Sequence, residues 1–256
     1  MKISIITITY NSDRTLQETI DSIASQKYED IEYIVVDGLS NDNTIDIINS
    51  NKTRISKFIS EKDNGIYDAM NKGLSMASGE IIGILNSDDV YANENVICDV
   101  VEQFKKTSAD SLYADLVYTK SDDLTSVIRY WKSGRFNRKS FLYGWMPPHP
   151  TFFVNKGVYE KYGKFRTDLS SAADYELMLR FLFKNQISTT YLNKIIIKMR
   201  EGGFSNQNLN SRFRGNIQDN MAWKTNNLSP YFFTLLFKPL RKISQFLIRP
   251  KASKLL

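Results

Sequence analysis

Cysteine and histidine are almost absent from this sequence, which has one of each, Cys98 and His149, in 256 residues. A disulfide framework, a zinc cluster and a Cys-His-Asp protease site cannot be built from these two residues alone, so all three are excluded. Cys98 lies in an apolar stretch with helical spacing, where a buried thiol is the expected role.

Two glycine-rich nucleotide motifs are also missing. The sequence has no Gly-x-Gly-x-x-Gly after its first apolar run and no Gly-x-x-x-x-Gly-Lys-Ser/Thr at any position. A nucleotide site would therefore depend on acidic residues and a metal. The first apolar run, residues 1–9, is too short and too polar for a signal peptide or a membrane span, so we expect it to be a cytosolic first strand.

Acidic residues are absent from position 220 to the end, a segment with seven basic residues. The remainder holds 27 of the 34 basic residues and all 28 acidic ones, so it is close to neutral. A neutral body argues against nucleic-acid binding. A terminal basic segment mixed with aromatic residues favours an anionic membrane surface instead.

The sequence does contain an apolar run, residues 81–85, that ends on Asn86-Ser87-Asp88-Asp89. Such a run is typical of a buried parallel strand, and ligands bind at the carboxyl edge of parallel sheets. Two carboxylates there suit Mg²⁺ or Mn²⁺ carrying a diphosphate. Alternatively, the four residues form a polar turn in which an aspartate caps a helix.

The first half alternates apolar runs with helical spacing, which predicts parallel βαβ order. We expect its strands at residues 2–9, 31–36, 54–60 and 81–85. The carboxyl edge of that α/β sheet would then collect a row of polar side chains, which are those of Thr9, Asn11, Asp37, Asp88 and Asp89.

Four motifs carry a resemblance to a known family. They are Ile5-Ile6-Thr7-Ile8-Thr9-Tyr10-Asn11, the stretch from Val35 to Thr44, the stretch from Asp63 to Gly73, and Leu85-Asn86-Ser87-Asp88-Asp89. Their order and wording resemble family-two glycosyltransferases, which are inverting enzymes of GT-A fold. The third motif is most similar to bacterial surface-polysaccharide transferases of the colanic acid fucosyltransferase type, and the match covers about residues 1–205.

The resemblance implies roles for the polar residues of these motifs. Asp88 would face the ribose or the metal and Asp89 the metal-diphosphate, with Mn²⁺ or Mg²⁺ as the ion. Asn86 stands where the family often has aspartate, which leaves the division of ligand duties open. The nucleoside, base and phosphate contacts would come from Thr9, Tyr10, Asn11, Asp37, Asn64, Asp68 and Lys72.

Structural roles compete with several of these assignments. Thr9 and Asn11 could instead cap a helix, Asp37 could be a turn acid, and Lys72 could lie on a solvated helix face.

Asp174 opens a predicted helix in the second half of the chain. An acid at a helix start is commonly a cap, but the resemblance implies that this one is the catalytic base. A sugar hydroxyl is a weak nucleophile at neutral pH, and a carboxylate that takes its proton supplies what transfer needs. Glu176 is the second choice for the base.

Three further features lie on the predicted acceptor side. His149 resembles a family histidine that could contact phosphate or acceptor, or it is a structural residue between prolines. Tyr143 and Trp145 could bind the apolar face of a sugar or cover the sheet. Residues 200–205 contain two glycines and, by the resemblance, could close over the diphosphate; otherwise they are a turn.

We divide the chain into a GT-A catalytic domain at residues 1–210 and a basic amphipathic segment at 211–256. The domain has a sugar-nucleotide half, 1–115, and an acceptor half, 116–210. Ser229-Pro230 and Lys238-Pro239 are good helix starts, and Pro250 would end the last helix. In that segment Leu236, Leu240, Ile243 and Leu247 line one side among basic residues, which favours membrane binding over docking on the core.

The sequence thus predicts an inverting, metal-dependent glycosyltransferase on the inner face of the cytoplasmic membrane. It would move a sugar from a nucleotide-diphosphate donor to a lipid-linked or growing surface polysaccharide, such as O-antigen lipopolysaccharide, capsule or exopolysaccharide. A non-catalytic module that binds sugar nucleotides or glycans is the alternative. Binding alone would not require both Asp88-Asp89 and Asp174, which favours the enzyme.

Overall fold

A single nine-stranded sheet organises the chain, whose computed structural model describes residues 1–202, 209–247 and 250. The strands run in the order β3-β2-β1-β4-β8-β6-β9-β5, and β7 pairs with β6. Their bounds are β1 Ile3–Thr9, β2 Ile31–Asp37, β3 Lys57–Ser60, β4 Ile81–Ile84, β5 Asp89–Tyr91, β6 Ser111–Thr119, β7 Val127–Trp131, β8 Phe153–Asn155 and β9 Thr189–Arg200.

Helices cover both faces of this sheet. The α-helices are α1 Leu16–Ala24, α2 Thr44–Ser50, α3 Ile66–Met76, α4 Val96–Thr107, α5 Lys156–Tyr162, α6 Ala173–Met178, α7 Leu209–Thr225, α8 Thr234–Leu240 and α9 Ser244–Leu247. Helix α6 continues as a π-helix over Leu179–Lys184, and 3₁₀ turns form at Arg138–Tyr143 and His149–Thr151.

The first four predicted strands are all parallel, as expected. β1 pairs with β2 and β4, and β2 pairs with β3, with Thr9 opposite Asp37 at the carboxyl edge. Side chains alternate between two cores: Ile6 and Ile8 pack with α3 and α6, whereas Ile3 and Ile5 pack with α1 and α4. This alternation follows from the two-residue period of a strand, and burial on both faces explains the continuous apolar runs.

The second half adds antiparallel pairs. β8 pairs antiparallel with both β4 and β6, β9 is parallel to β6, and β5 is antiparallel to β9. β6 and β7 pair antiparallel as a hairpin, joined by residues 120–126. The α/β class predicted from the sequence, with a parallel-rich sheet flanked by helices, is confirmed.

Asp89 does not lie in a turn, which was the alternative for its motif, but begins β5, where it is opposite Met199. Two local predictions were wrong. The third strand starts at Lys57 rather than at residue 54. Lys238-Pro239 does not start a helix, because Pro239 lies in the last turn of α8, where it has no N–H to donate to the preceding turn.

The helices after residue 208 pack against the preceding part of the chain. Trp223 on α7 is fully buried and donates its indole N–H to Tyr175 Oη at 2.9 Å. Thr234 on α8 donates to Leu142 O at 2.6 Å. No helix within the described part of the chain is long and apolar enough to cross a bilayer.

Candidate active site

The loops after β1 and β4 meet where the strand order reverses. Neighbouring loops diverge there, and open α/β sheets bind ligands in the resulting crevice. Ser12 and Ser87 join the two loops through a hydroxyl-hydroxyl hydrogen bond of 2.9 Å. Thr19 on α1 donates to Ser87 O at 3.0 Å and to Asp89 O at 2.8 Å, so α1 positions the acidic motif.

The predicted nucleoside contacts lie in the first of these loops. Tyr10 is 61% exposed, so one face of its ring is available for stacking. Asn11 has a φ of 50° and its side-chain oxygen accepts from Asn41 N at 2.9 Å, which orders the two loops around the crevice. Thr9 is buried, and its hydroxyl has no hydrogen-bond partner among the described residues.

Asp37 is fully buried at the end of β2. Its Oδ2 accepts from the backbone N–H of Leu39 and Ser40, each at 3.0 Å, and from Ser60 Oγ at 2.6 Å. The carboxylate therefore fixes the loop that follows β2. A nucleobase bound here would meet the Asp37 carboxylate in a position that this loop already holds.

The third predicted group lies at the start of α3. Asp68 Oδ2 accepts from Asn64 N at 2.9 Å. Lys72 Nζ lies 2.9 Å from Glu61 and 3.9 Å from Asp68. The hydrogen bond that Lys72 donates to Glu61 raises the pKa of Lys72, which therefore carries its charge throughout the neutral range.

The motif predicted to bind a metal places two carboxylates in succession. Asp89 is fully buried, and its Oδ2 accepts from Asn86 Nδ2 at 3.1 Å. Asp89 Oδ1 and Asn86 Oδ1 are buried and have no hydrogen-bond partner among the described residues. Burial raises the pKa of Asp89 well above its ordinary value, and the neighbouring charge of Asp88 raises it further. Burial also raises the pKa of Asp88, against an opposing effect of Arg200.

These residues fit a divalent cation. Two acidic side chains and an orphaned amide oxygen are hard oxygen donors, and ionising a buried carboxylate is costly without a nearby positive charge. No group of three or more His, Cys, Asp or Glu suited to a metal occurs in the described ranges. The donor diphosphate and water would supply the remaining ligands, as is usual for Mg²⁺.

Arg200 supports this motif from the end of β9. It is buried, donates to Asp88 O at 2.9 Å and to Ser121 O at 3.1 Å, and pairs with Glu18. Of the predicted closing loop at 200–205, residues 203–205 lie outside the described part of the chain.

A cleft of about 340 Å³ opens beside the motif and contains Asp174, near the start of α6. Asn86 and His149 line the same cleft, as do Tyr67 and Trp145. Tyr67 Oη donates to Asp174 Oδ1 at 3.2 Å. Burial raises the pKa of Tyr67, so its hydroxyl keeps its proton and orients the carboxylate.

His149 is partly buried, with its ring edge against Phe165 at 5.8 Å between centroids. Burial lowers its pKa, although the nearby charge of Asp174 partly opposes that change. The imidazole is therefore neutral at pH 7 and provides one donor and one acceptor in the cleft.

Glu176 does not line this cleft. Its side chain is buried, pairs with Arg180 at 2.9 Å and accepts from Asn226 at 3.1 Å. Because both oxygens are engaged inside the core, Asp174 is the acid of α6 that faces the cleft.

The two aromatic residues predicted for the acceptor side, Tyr143 and Trp145, lie in different surroundings. Trp145 lines the cleft, and its indole N–H donates to Ser133 O at 3.0 Å. Tyr143 instead stacks on Phe233, at 5.8 Å between ring centroids, where the C-terminal segment meets the body.

Comparison with known proteins decides the family. The family model described as "Glycosyl transferase family 2" matches residues 4–163, more than half of the chain. This chain belongs to glycosyl transferase family 2. An uncharacterized glycosyltransferase of Mycobacterium tuberculosis is 33% identical over 180 residues, which cover 70% of this chain and 68% of the relative. A PGL/p-HBAD biosynthesis glycosyltransferase of Mycobacterium bovis is 27% identical over 215 residues, covering 82% and 81%.

Solved structures confirm the GT-A fold of this glycosyltransferase. Residues 1–349 of Staphylococcus aureus TarS, in complex with UDP-GlcNAc, match with a TM-score of 0.68 at 18% identity, covering 95% of this chain and 73% of that TarS fragment. The mannosyltransferase PcManGT from Pyrobaculum calidifontis, in complex with GDP-Man and Mn²⁺, matches with a TM-score of 0.65 at 18% identity, covering 96% and 69%.

The predicted residues of this glycosyltransferase fall around two openings. Asp174, His149 and Asn86 share the cleft, whereas Asp88 lines a second opening together with Arg200. Sequence reasoning missed Tyr67, although it lies in the third motif and its helical spacing to Met70 and Leu74 would have placed it on the inner face of α3.

Proposed function

We propose that this glycosyltransferase is an inverting enzyme that uses a nucleotide-diphosphate sugar and a divalent metal. The observation that carries the proposal is the shared cleft, in which Asp174, oriented by Tyr67, lies with Asn86 of the metal motif. An acceptor bound in this cleft would therefore lie next to both the proposed base, Asp174, and the motif that contains Asn86. TarS and PcManGT, solved with nucleotide sugars on the same fold, support the choice of donor class.

In the proposed step, an acceptor hydroxyl attacks the anomeric carbon of the donor sugar. A carbon-oxygen bond forms there as the bond to the diphosphate breaks, and the diphosphate leaves with the bonding electrons. The hydroxyl proton moves to the Asp174 carboxylate, which acts as general base. Attack opposite the leaving group inverts the anomeric configuration.

Mn²⁺ or Mg²⁺, held by Asp88 and Asp89, would supply positive charge against the departing diphosphate. On the donor side, Tyr10 offers a stacking surface, and Thr9, Asn11 and Asp37 shape the nucleoside pocket. Asn64, Asp68 and Lys72 would border the base and the phosphates.

We further propose a lipid-linked acceptor of a surface polysaccharide, of the kind served by the colanic acid fucosyltransferase type. The support is a row of apolar side chains on the C-terminal segment, spaced by three or four residues and each more than half exposed, namely Phe232, Leu236, Leu240, Ile243 and Phe246. Exposed apolar rows mark interaction sites. The basic charge of the same segment fits an anionic leaflet at the inner face of the cytoplasmic membrane.

The test is release of nucleotide diphosphate from a panel of UDP, GDP and dTDP sugars with Mn²⁺, with and without candidate acceptors. Asp174→Asn should lower transfer by ~10²–10⁴-fold while donor binding, measured by calorimetry, persists. Asp168→Asn, which changes an exposed acid paired with Arg166, is the matched control and should leave transfer unchanged.

Two outcomes would contradict the proposal. Donor binding without turnover of any donor would favour the non-catalytic binding module. Full transfer by Asp174→Asn would remove this residue as the base.

A further inference from the structure

The C-terminal segment builds one wall of the cleft that contains Asp174. Asp219 of α7, Lys238 of α8 and Gln245 of α9 all line this cleft. They lie outside the matched family region, which ends at residue 163. This wall is therefore supplied by a part of the chain that is distant in sequence from the proposed donor residues.

A close ion pair lies in this wall. Lys238 Nζ is 2.6 Å from Asp219 Oδ1 and 3.8 Å from the centre of the Tyr175 ring. Both side chains are largely removed from solvent, since Lys238 is 17% and Asp219 10% exposed. Apolar side chains often stabilise a fold as well as such a pair does, because burial of two charges costs solvation. The position of the pair on the cleft therefore indicates a role toward a ligand.

The pair keeps hydrogen-bonding capacity for such a ligand. Within the described ranges, Asp219 accepts through Oδ1 alone, so its Oδ2 is left without a donor. The Lys238 ammonium carries three N–H groups, and its one acceptor among the described residues is Asp219 Oδ1. The cleft wall thus presents one free carboxylate oxygen and one ammonium donor side by side.

This combination matches adjacent hydroxyl groups of a sugar. A hydroxyl both donates and accepts, so one hydroxyl can donate to Asp219 Oδ2 while its neighbour accepts from Lys238 Nζ. Hydrogen bonds to charged groups are the stronger ones. The flat apolar surfaces of Tyr67, Trp131 and Trp145 line the same cleft and suit the apolar face of a sugar ring. A volume of about 340 Å³ is within the range of about 300–1,000 Å³ for small-ligand sites.

The pair is connected to the proposed base through one residue. Tyr175, whose ring contacts Lys238, directly follows Asp174 on α6. The Tyr175 hydroxyl accepts from the indole N–H of Trp223 at 2.9 Å, so this ring contacts both α7 and α8. A sugar held by the pair would therefore lie close to the Asp174 carboxylate.

We propose that Asp219 and Lys238 bind two adjacent hydroxyls of the acceptor sugar and thereby select the acceptor. A sugar bound in this way would present a further hydroxyl to Asp174. This inference rests on the proposed transferase function, and it adds the residues that recognise the acceptor sugar.

The experiment measures binding by calorimetry, without donor or metal. The probes are octyl glycosides of glucose, galactose, mannose, N-acetylglucosamine and rhamnose, below their micelle concentrations, and their monodeoxy analogues. At least one parent glycoside should bind the wild type, and removal of either of two adjacent hydroxyls should weaken it. Asp219→Asn should weaken that parent glycoside by about tenfold or more, yet bind the analogue that lacks the contacted hydroxyl as the wild type does.

Three further variants isolate the pair. Lys238→Gln changes the other partner and should show the same selectivity for the neighbouring hydroxyl. Asp99→Asn, which changes an acid paired with Lys194 at 2.7 Å and away from the cleft, is the matched control and should bind every glycoside as the wild type does. Thr234→Val removes the hydrogen bond from α8 to Leu142 without changing the pair, and it should show no selectivity for any hydroxyl.

Several results would overturn the inference. They are no binding of any glycoside to the wild type, unchanged or non-selective binding in both variants of the pair, and the same selective loss in Asp99→Asn or Thr234→Val. Selective binding without transfer from any donor would contradict the proposed function alone. Transfer without this selectivity would contradict the sugar site alone.

Discussion

Glu32 is a buried carboxylate that joins three segments at the amino-terminal end of the sheet. Its oxygens accept from Ser4 Oγ at 2.6 Å and from Ser78 N and Ser78 Oγ at 2.7 Å, and Lys57 Nζ lies 2.9 Å away. Burial alone would raise its pKa, but these hydrogen bonds outweigh burial and hold the pKa well below the ordinary value. The charged form is therefore the stabilising form.

We predict that Glu32 supports stability above its unfolded pKa and that this contribution is lost as pH falls toward the folded pKa. Glu32→Gln should cost about 1–3 kcal/mol at pH 7. It should also flatten the decline of stability in acid, because the variant lacks this titration. Urea unfolding of both proteins between pH 7 and pH 3 measures the difference, and parallel curves would contradict the prediction.

Asp89 differs from Glu32 in the direction of its pKa change. Burial raises the pKa of Asp89 and so disfavours its charged form. We predict that Asp89→Asn lowers turnover by at least ~10²-fold, as loss of a charge-stabilising group does. In metal-free solution the same change should raise the melting temperature, because a buried charge without a donor on Oδ1 is removed. Calorimetric melting with and without Mn²⁺ gives the readout.

Asp122→Asn, at the rim of the second opening, is the matched control and should change neither quantity. A drop in melting temperature for Asp89→Asn without metal would show that the carboxylate is a structural group and not a metal ligand.

At the scale of elements, the sequence was sufficient where patterns are local. Apolar patterns in the sequence predict the four parallel strands and the helices α1 and α3. The pattern of the strands is pronounced because both faces of the sheet are buried. The three-residue strands β5 and β8 have no such pattern, because each is defined by pairing with a strand distant in sequence. This is why the sequence did not predict that Asp89 begins a strand.

Docking of α8 depends on one glycine. Gly144 has a φ of 73°, and a Cβ there would lie 2.4 Å from Lys238 N. Gly134 has a similar φ of 72° with no atom within 4 Å of the corresponding Cβ position. Substitution of either glycine would strain the backbone. Only at Gly144 would the added Cβ also clash with a neighbouring atom.

We predict that Gly134→Ala costs about 1–2 kcal/mol from backbone strain alone, whereas Gly144→Ala costs more and releases α8. Protease cleavage between α7 and α8 should rise for Gly144→Ala and stay at the wild-type level for Gly134→Ala. Equal stability and equal cleavage of the two variants would show that α8 is not seated against this turn.

At the scale of the molecule, the exposed apolar row predicts association with anionic membranes. Leu236→Gln/Leu240→Gln should reduce sedimentation with vesicles of phosphatidylcholine and phosphatidylglycerol by about tenfold or more, since each change removes an exposed apolar side chain from the interface. Phe58→Gln, which changes an exposed apolar side chain on the edge strand β3, is the matched control. Unchanged sedimentation of the double variant, or the same loss in Phe58→Gln, would contradict the membrane surface.

The site was less predictable than the fold for a related reason. Motif wording led to Asp174, His149 and the acidic pair, which are local in sequence. The contact of Tyr67 with Asp174 joins positions far apart in the chain, and Arg241 reaches the cleft only because the C-terminal segment folds back onto Tyr143. No local periodicity in the sequence predicts that the C-terminal segment folds back in this way.

One wall of the proposed acceptor cleft comes from a stretch of chain that is separate from the proposed donor residues. Because those donor residues lie before Tyr91 and this wall begins at Asp219, we predict that exchange of the later segment between relatives changes which acceptor is used and leaves the donor site intact. Chimeras joined at the start of α7 would show this as an altered acceptor KM at a constant donor KM. With this arrangement, recombination of one terminal segment would be enough to change the acceptor without any change in the central sheet.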